Sequence, residues 1–155
     1  MAIGWDLPER LDPAWRDGLL GPGQVFELVD DDVLCHRLPV FARRPHSLVE
    51  ALRTAAATHG ARPFFVGPDE AVTLAAAPAR IGAIAAHLAE EHGVAAGHRV
   101  ALVGGVSVAH CLALWATVAV GAVATTMNPA WTAAEIDHAM AVARPRCALT
   151  DDAAL

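Results

Sequence analysis

The chain has 155 residues, a formal net charge of −6, and 55% hydrophobic, 18% charged and 5% aromatic residues. A compact chain of this size buries about 70% of its unfolded surface, so a real core is expected, as one domain or a piece of a larger one. The acidic balance, the lack of a basic stripe and the few aromatics exclude a nucleic-acid surface and a base-stacking platform.

Residues 1–23 are rich in Gly, Pro and Trp and show no long periodic run. They read as an extended arm with one helical turn near residues 13–17, anchored to a surface by Trp5 and Trp15. Phe26, Leu28, Val29, Val33 and Leu34 then surround Asp30-Asp31-Asp32. A hard cation wants spaced, convergent oxygens, and three adjacent carboxylates point apart, so this run reads as a solvated turn. Residues 1–46 are thus an N-terminal arm of irregular structure and short elements.

Residues 47–155 carry an α/β pattern. Ser47 and Glu50 have capping-box spacing and start a helix to about His59, with Leu48, Leu52, Ala55 and Ala56 on one face and Gly60 as the stop. Residues 63–66 and 71–73 flank Gly67-Pro68-Asp69-Glu70, a hairpin with a four-residue turn. A helix follows to about Glu91, with Pro78 tolerated in its first turn, Ile81, Ile84 and Leu88 as its buried stripe, and Gly93 as its end.

No formally charged residue lies between Arg99 and Glu135. Residues 100–103 form a short apolar run ending at Gly104-Gly105, the signature of a strand buried on both faces. Ser107 caps a helix to about Val120, Gly121 ends it, and residues 122–126 form the next strand, giving a right-handed parallel crossover. This helix is apolar on nearly every side and must be covered by protein or lipid. The glycines and Asn128-Pro129 cut the run into pieces too short to span a bilayer, which favours protein. Thr132 and Glu135 make a second capping box, with Trp131 and Ile136 at staple spacing; the helix runs to about Ala143 and stops at Arg144-Pro145. Residues 147–150 read as a third parallel strand.

All eleven cations are Arg, and Lys and Tyr are absent. Schiff-base and phosphate-loop lysine chemistry is thereby excluded from this chain. Arg43-Arg44 and Arg144/Arg146 lie in separate segments and read as no preformed cradle for an anion. Cys35, Cys111 and Cys147 have no paired spacing and read as reduced, buried thiols of a cytosolic protein. Asp6 and Glu9 interrupt any apolar leader, so no signal peptide is expected.

From about Ser47 the sequence resembles the N-terminal part of the AMP-forming adenylating enzymes, especially the acyl-CoA synthetases (fatty-acid–CoA ligases). Gly97-His98-Arg99-Val100-Ala101 matches that family's G-D-R-V-A, with His98 in place of Asp. Ser107 matches the Ser of its P-N-S, where this chain has Gly105-Val106 for Pro-Asn. Gly121-Ala122-Val123, Asn128-Pro129 and Thr132-Ala133-Ala134-Glu135-Ile136 continue the match without a gap, with Thr126 replacing Pro. Thr73-Leu74 and Gly93 resemble upstream family positions. The resemblance implies the N-terminal portion of an adenylation large domain: a β-hairpin plus parallel strands with crossover helices. It implies an ATP-dependent acid–CoA ligase, forming acyl-adenylate and then acyl-CoA from a carboxylic acid, with ATP, Mg2+ and CoA as cofactors of the full-length enzyme, in the cytoplasm. The family's phosphate loop and lysines would follow residue 155, so the resemblance implies no catalytic, cofactor-binding or metal residue here and an inactive isolated chain. If the chain ends partway through a larger sheet, the strand at residues 147–150 is an unprotected edge, and self-association through it is expected.

Two other readings compete. One is a non-enzymatic interaction module on the same scaffold. The other is a serine hydrolase using Ser107, since Gly105-Val106-Ser107-Val108-Ala109 falls one residue short of a nucleophile elbow. Asp137 and His138 follow it but sit adjacent on one helix, facing apart, and His110 lies on the helix that Ser107 itself caps. His87 and Glu91, one helical turn apart, could touch a metal, with no third ligand predicted.

Overall fold

The computed structural model describes residues 13–151. The chain divides into two compact units, with the boundary in sequence between Pro45 and His46.

The first unit holds α1 (Pro13–Leu20) and an antiparallel hairpin of β1 (Leu28–Val33) and β2 (His36–Phe41). The single turn expected near residues 13–17 is therefore a helix of eight residues. Trp5 lies outside the described residues. The aspartate run is not a turn. It lies within β1, opposite Arg37, Leu38 and Pro39, and strand pairing supplies the partners that its own sequence does not. Arg44 Nη2 sits 2.6 Å from Asp31 Oδ2, and Arg37 Nε is 3.8 Å from Asp30. The turn falls instead on Leu34 and Cys35, which close the Val33–His36 pair with φ of 49° and 66°. Two consecutive positive-φ residues match the twist of a two-residue hairpin, a place normally taken by Asn-Gly. It leaves Cys35 exposed, so the expectation of three buried thiols fails there.

In the second unit, α2 (Leu48–His59), β3 (Pro63–Val66), β4 (Ala71–Thr73) and α3 (Ala77–Glu90) precede β5 (Arg99–Val103), α4 (Val108–Ala119), β6 (Val123–Met127), α5 (Ala133–Ala143) and β7 (Cys147–Thr150). Ser47 Oγ accepts from the Glu50 amide at 3.1 Å, but the Glu50 carboxylate accepts from the His46 amide, one residue before the cap. Leu48 is exposed, and Leu52 is the helix's buried anchor. Gly60 is right-handed (φ −49°). Its lack of a side chain serves close packing: a Cβ would lie 2.8 Å from the Ala56 carbonyl oxygen and 3.2 Å from Ala75.

β5 is the middle strand of a three-stranded parallel sheet in the order β6-β5-β7. Its side chains alternate between two cores. Val100 and Leu102 join Leu52, Ile81, Leu88, Leu112 and Ala116 on the face covered by α2, α3 and α4. Ala101 and Val103 join Met127 under Ile136, Ala139 and Met140 of α5. The β5-α4-β6 crossover runs from the centre of the sheet to one edge, and the β6-α5-β7 crossover runs back over β5 to the other edge; right-handed crossovers of opposite direction put their helices on opposite faces. The apolar helix α4 is covered by protein: Leu112 and Ala116 are buried, and Trp115 meets Phe64 of β3 edge-on at 5.4 Å. Among the described residues, no helix is long and apolar enough to cross a membrane. The second capping box is complete, with Thr132 and Glu135 exchanging bonds in both directions. The Thr132 N–H, then its hydroxyl, holds the Glu135 carboxyl below the usual range. That contribution is fully present above the ordinary glutamate pKa and is lost as pH falls through the lowered one.

Two substitutions test these local assignments. Thr132→Ala removes the cap oxygen and should cost about 1 kcal/mol, while Thr132→Ser stays near wild type; equal denaturation midpoints for all three would contradict the cap. Leu34→Asn with Cys35→Gly relieves two left-handed side chains and should raise the hairpin's opening free energy by about 1 kcal/mol. Amide exchange in β1 and β2 should slow accordingly, and unchanged or faster exchange would contradict the turn.

Candidate functional site

Ligands of parallel α/β sheets bind at the carboxyl ends of the strands. Here β5 and β7 end at a hollow of about 240 Å3. Gly104-Gly105 stops β5, and the Gly105 N–H donates to Asp151 Oδ2 at 2.8 Å, just past β7. A Cβ at Gly104 would sit 2.7 Å from the same oxygen. Glycine at 104 is thus what lets the two strand ends be tied together.

Ser107 stands at the mouth, and its Oγ accepts from the His110 backbone N–H at 3.1 Å. It is the cap of α4, as its spacing predicts. One turn on, the half-buried His110 lines the hollow, and Ile84, Ala113 and Leu149 give it apolar walls. The fold thus gathers a hydroxyl, an imidazole and a carboxylate around one apolar space. Among the described residues, no hydrogen bond joins the His110 ring to Ser107 or Asp151; the Ser107 hydroxyl is engaged as the helix cap. The Gly105 amide is already taken by the Asp151 carboxylate and is not free to donate to a phosphate.

The other sequence candidates lie elsewhere. Asp137 and His138 are on α5, across the sheet from α4; His138 lines a shallow hollow with Trp131 and Ala134. Trp131 stays 39% exposed there, while Ile136 packs against the sheet. His87 stacks edge-on with His92, ring centres 5.2 Å apart. Among the described residues, no group of three metal-capable side chains exists. Burial pushes the Cys147 thiol up, partly offset by Arg146.

Two features escape sequence reasoning. Asp151 has no motif and becomes visible only when β5 and β7 are neighbours. At the opposite end of the sheet, Arg99, Arg144 and Arg146 line one hollow with His98. Parallel pairing brings Arg144 and Arg146 beside Arg99 because it sets the start of β7 next to the start of β5: Val100 pairs with Cys147.

A model of the AMP-binding enzyme family matches residues 52–155. No curated protein matches the chain. The fold is similar to the N-terminal domain of FACL13 from Mycobacterium tuberculosis, at 26% identity and a TM-score of 0.65, over 69% of this chain and 27% of that one. It is similar to a fatty acyl CoA synthetase of the same organism, at 24% identity and a TM-score of 0.66, over 70% and 22%. A benzoate CoA ligase from Burkholderia xenovorans matches at 19% identity and a TM-score of 0.66, over 71% and 22%. The chain thus spans about a quarter of the length of these structures.

Gly104→Ala should displace Asp151 and lower stability by about 1–3 kcal/mol. Gly82→Ala, in α3 with open space around it, should raise stability by about 0.5–1 kcal/mol. Chemical denaturation of both variants checks the pair, and a silent Gly104→Ala would contradict the strand-end tie.

Proposed function

Because the chain belongs to the AMP-binding enzyme family, we propose that it forms the N-terminal scaffold of an ATP-dependent acid–CoA ligase. The observation that carries this reading is the family match over residues 52–155, together with the β5-α4-β6-α5-β7 order that places it on a doubly covered parallel sheet. A carboxylate is a poor electrophile; adenylation gives it a good leaving group, and a CoA thiol then captures the acyl group. ATP, Mg2+ and CoA serve the full-length enzyme. A fatty acid is the proposed substrate class, on the fatty-acyl name of one structural neighbour, and the cytoplasm is the proposed compartment.

This chain's own part is support. In-line displacement at a phosphate needs donors that neutralise charge developing on the leaving pyrophosphate. The chain has no Lys, only Ser47 and Ser107 as serines, and no hydroxyl-rich glycine loop. No step is therefore assigned to its residues. β7 lies at the edge of the described sheet, and an edge that is not covered is a site for self-association.

The test supplies purified chain with Mg·ATP, fatty and aromatic acids, and CoA. Pyrophosphate release should stay at the no-protein level. A longer chain that continues through a Ser/Thr/Gly-rich loop and a Lys should release pyrophosphate only with acid present. Release by the 155-residue chain would overturn the scaffold role, and silence of the longer chain would overturn the ligase reading.

A further inference from the structure

We propose that the hollow at the amino ends of β5 and β7 binds a multiply charged phosphate group through Arg99, Arg144, Arg146 and His98. It has a volume of about 310 Å3 and is completed by Gly97 and Pro145. A chain of net charge −6 sets three of its eleven arginines around this one space. No Asp or Glu lines it, and the ion pairs among the described residues use Arg37, Arg44 and Arg80 instead. Like charges gathered without a counter-charge repel one another, and an anion relieves that repulsion.

The donors are arranged, not loose. Arg99 donates through Nε to the Ala143 carbonyl, and Arg146 through Nε to the His92 carbonyl at 3.1 Å. Each guanidinium is pinned by its inner nitrogen, which leaves outer N–H groups for a ligand. Gly93 makes room for one of them: a Cβ there would lie 3.1 Å from Arg146 Nη2. His98 Nδ1 accepts from the Ala95 N–H at 3.1 Å, so the ring proton sits on Nε2 as a donor. Arg99 also covers the last carbonyl of α5, which would otherwise turn the negative end of the helix towards an anion.

Arg144 is the most telling member. It follows α5 in the left-handed region, with φ 47° and ψ 57°. A helix stop by itself asks for Gly or Asn there. The described structure gives its side chain no hydrogen bond or ion pair, so what arginine adds is its charge. Planar guanidinium forks match phosphate oxygens, and several forks suit a dianion better than a single carboxylate.

The site stands independently of the ligase reading, and its test needs no activity. Inorganic phosphate and phenyl phosphate are each titrated into the 155-residue chain by calorimetry at fixed ionic strength; the two arms distinguish free phosphate from phosphate carried on a larger body. Saturable one-to-one binding of at least one is expected, weakening as salt rises. Arg144→Gly removes one fork and relieves the left-handed strain. It should weaken binding about tenfold while the thermal midpoint holds or rises. Arg53→Gln, the same charge change on exposed α2, should leave Kd within about twofold. No saturable binding of either anion, an unchanged Kd in Arg144→Gly, or equal weakening by Arg53→Gln would overturn the proposal.

Discussion

The structure depends on β5 being buried on both faces. Val100, Ala101 and Leu102 are at most 1% exposed. Each larger side chain contributes about 1.5–3 kcal/mol by leaving water. A strand with no polar face cannot sit at the surface of a sheet. It needs a neighbour on each side to satisfy its amides and a helix layer above and below to cover its side chains. β6 and β7 supply the first requirement; α4 and α5 supply the second. The charge-free stretch from residue 100 to 134 follows from the same constraint, because most of it is either this strand or what covers it.

That arrangement makes the two ends of the sheet chemically different. At the carboxyl ends, glycines let the backbone approach Asp151, and the space is apolar with one acid and one imidazole. At the amino ends, the strands begin on Arg99 and just after Arg146, and the space is basic. Parallel strands put like ends together, so charges that are 47 residues apart in sequence share one hollow. An antiparallel pairing of the same segments would have separated them.

The first unit is built on a different principle. Its hairpin buries little: Phe26, Val29, Leu38 and Phe41 are all at least 42% exposed. Strand pairing, the Phe26–Phe41 ring contact at 5.9 Å and the Arg44–Asp31 ion pair hold it. Exposed ion pairs add little, so the two left-handed residues of its turn are a real burden on a small element.

Sequence alone determined the second unit's elements, because local signals agree there. Ser47, Ser107 and Thr132 precede apolar periodic runs, Pro78 falls in a first turn, Gly93 and Gly121 adopt left-handed φ, and the run from Val100 can only be a buried strand. The family pattern from Gly97 to Glu135 rests on these same residues. Sequence failed where a partner distant in the chain decides. Asp30-Asp31-Asp32 look like a turn until β2 pairs with them, Leu48 looks buried until α3 and α4 choose Leu52, and Glu50 reaches past Ser47 to His46. Asp151 and the Arg99–Arg144–Arg146 hollow have no local signature, because each is made by the register between β5 and β7. Side-chain spacing fixes what a segment becomes, whereas strand order fixes which segments meet, and that is settled only when the whole sheet finds its cover.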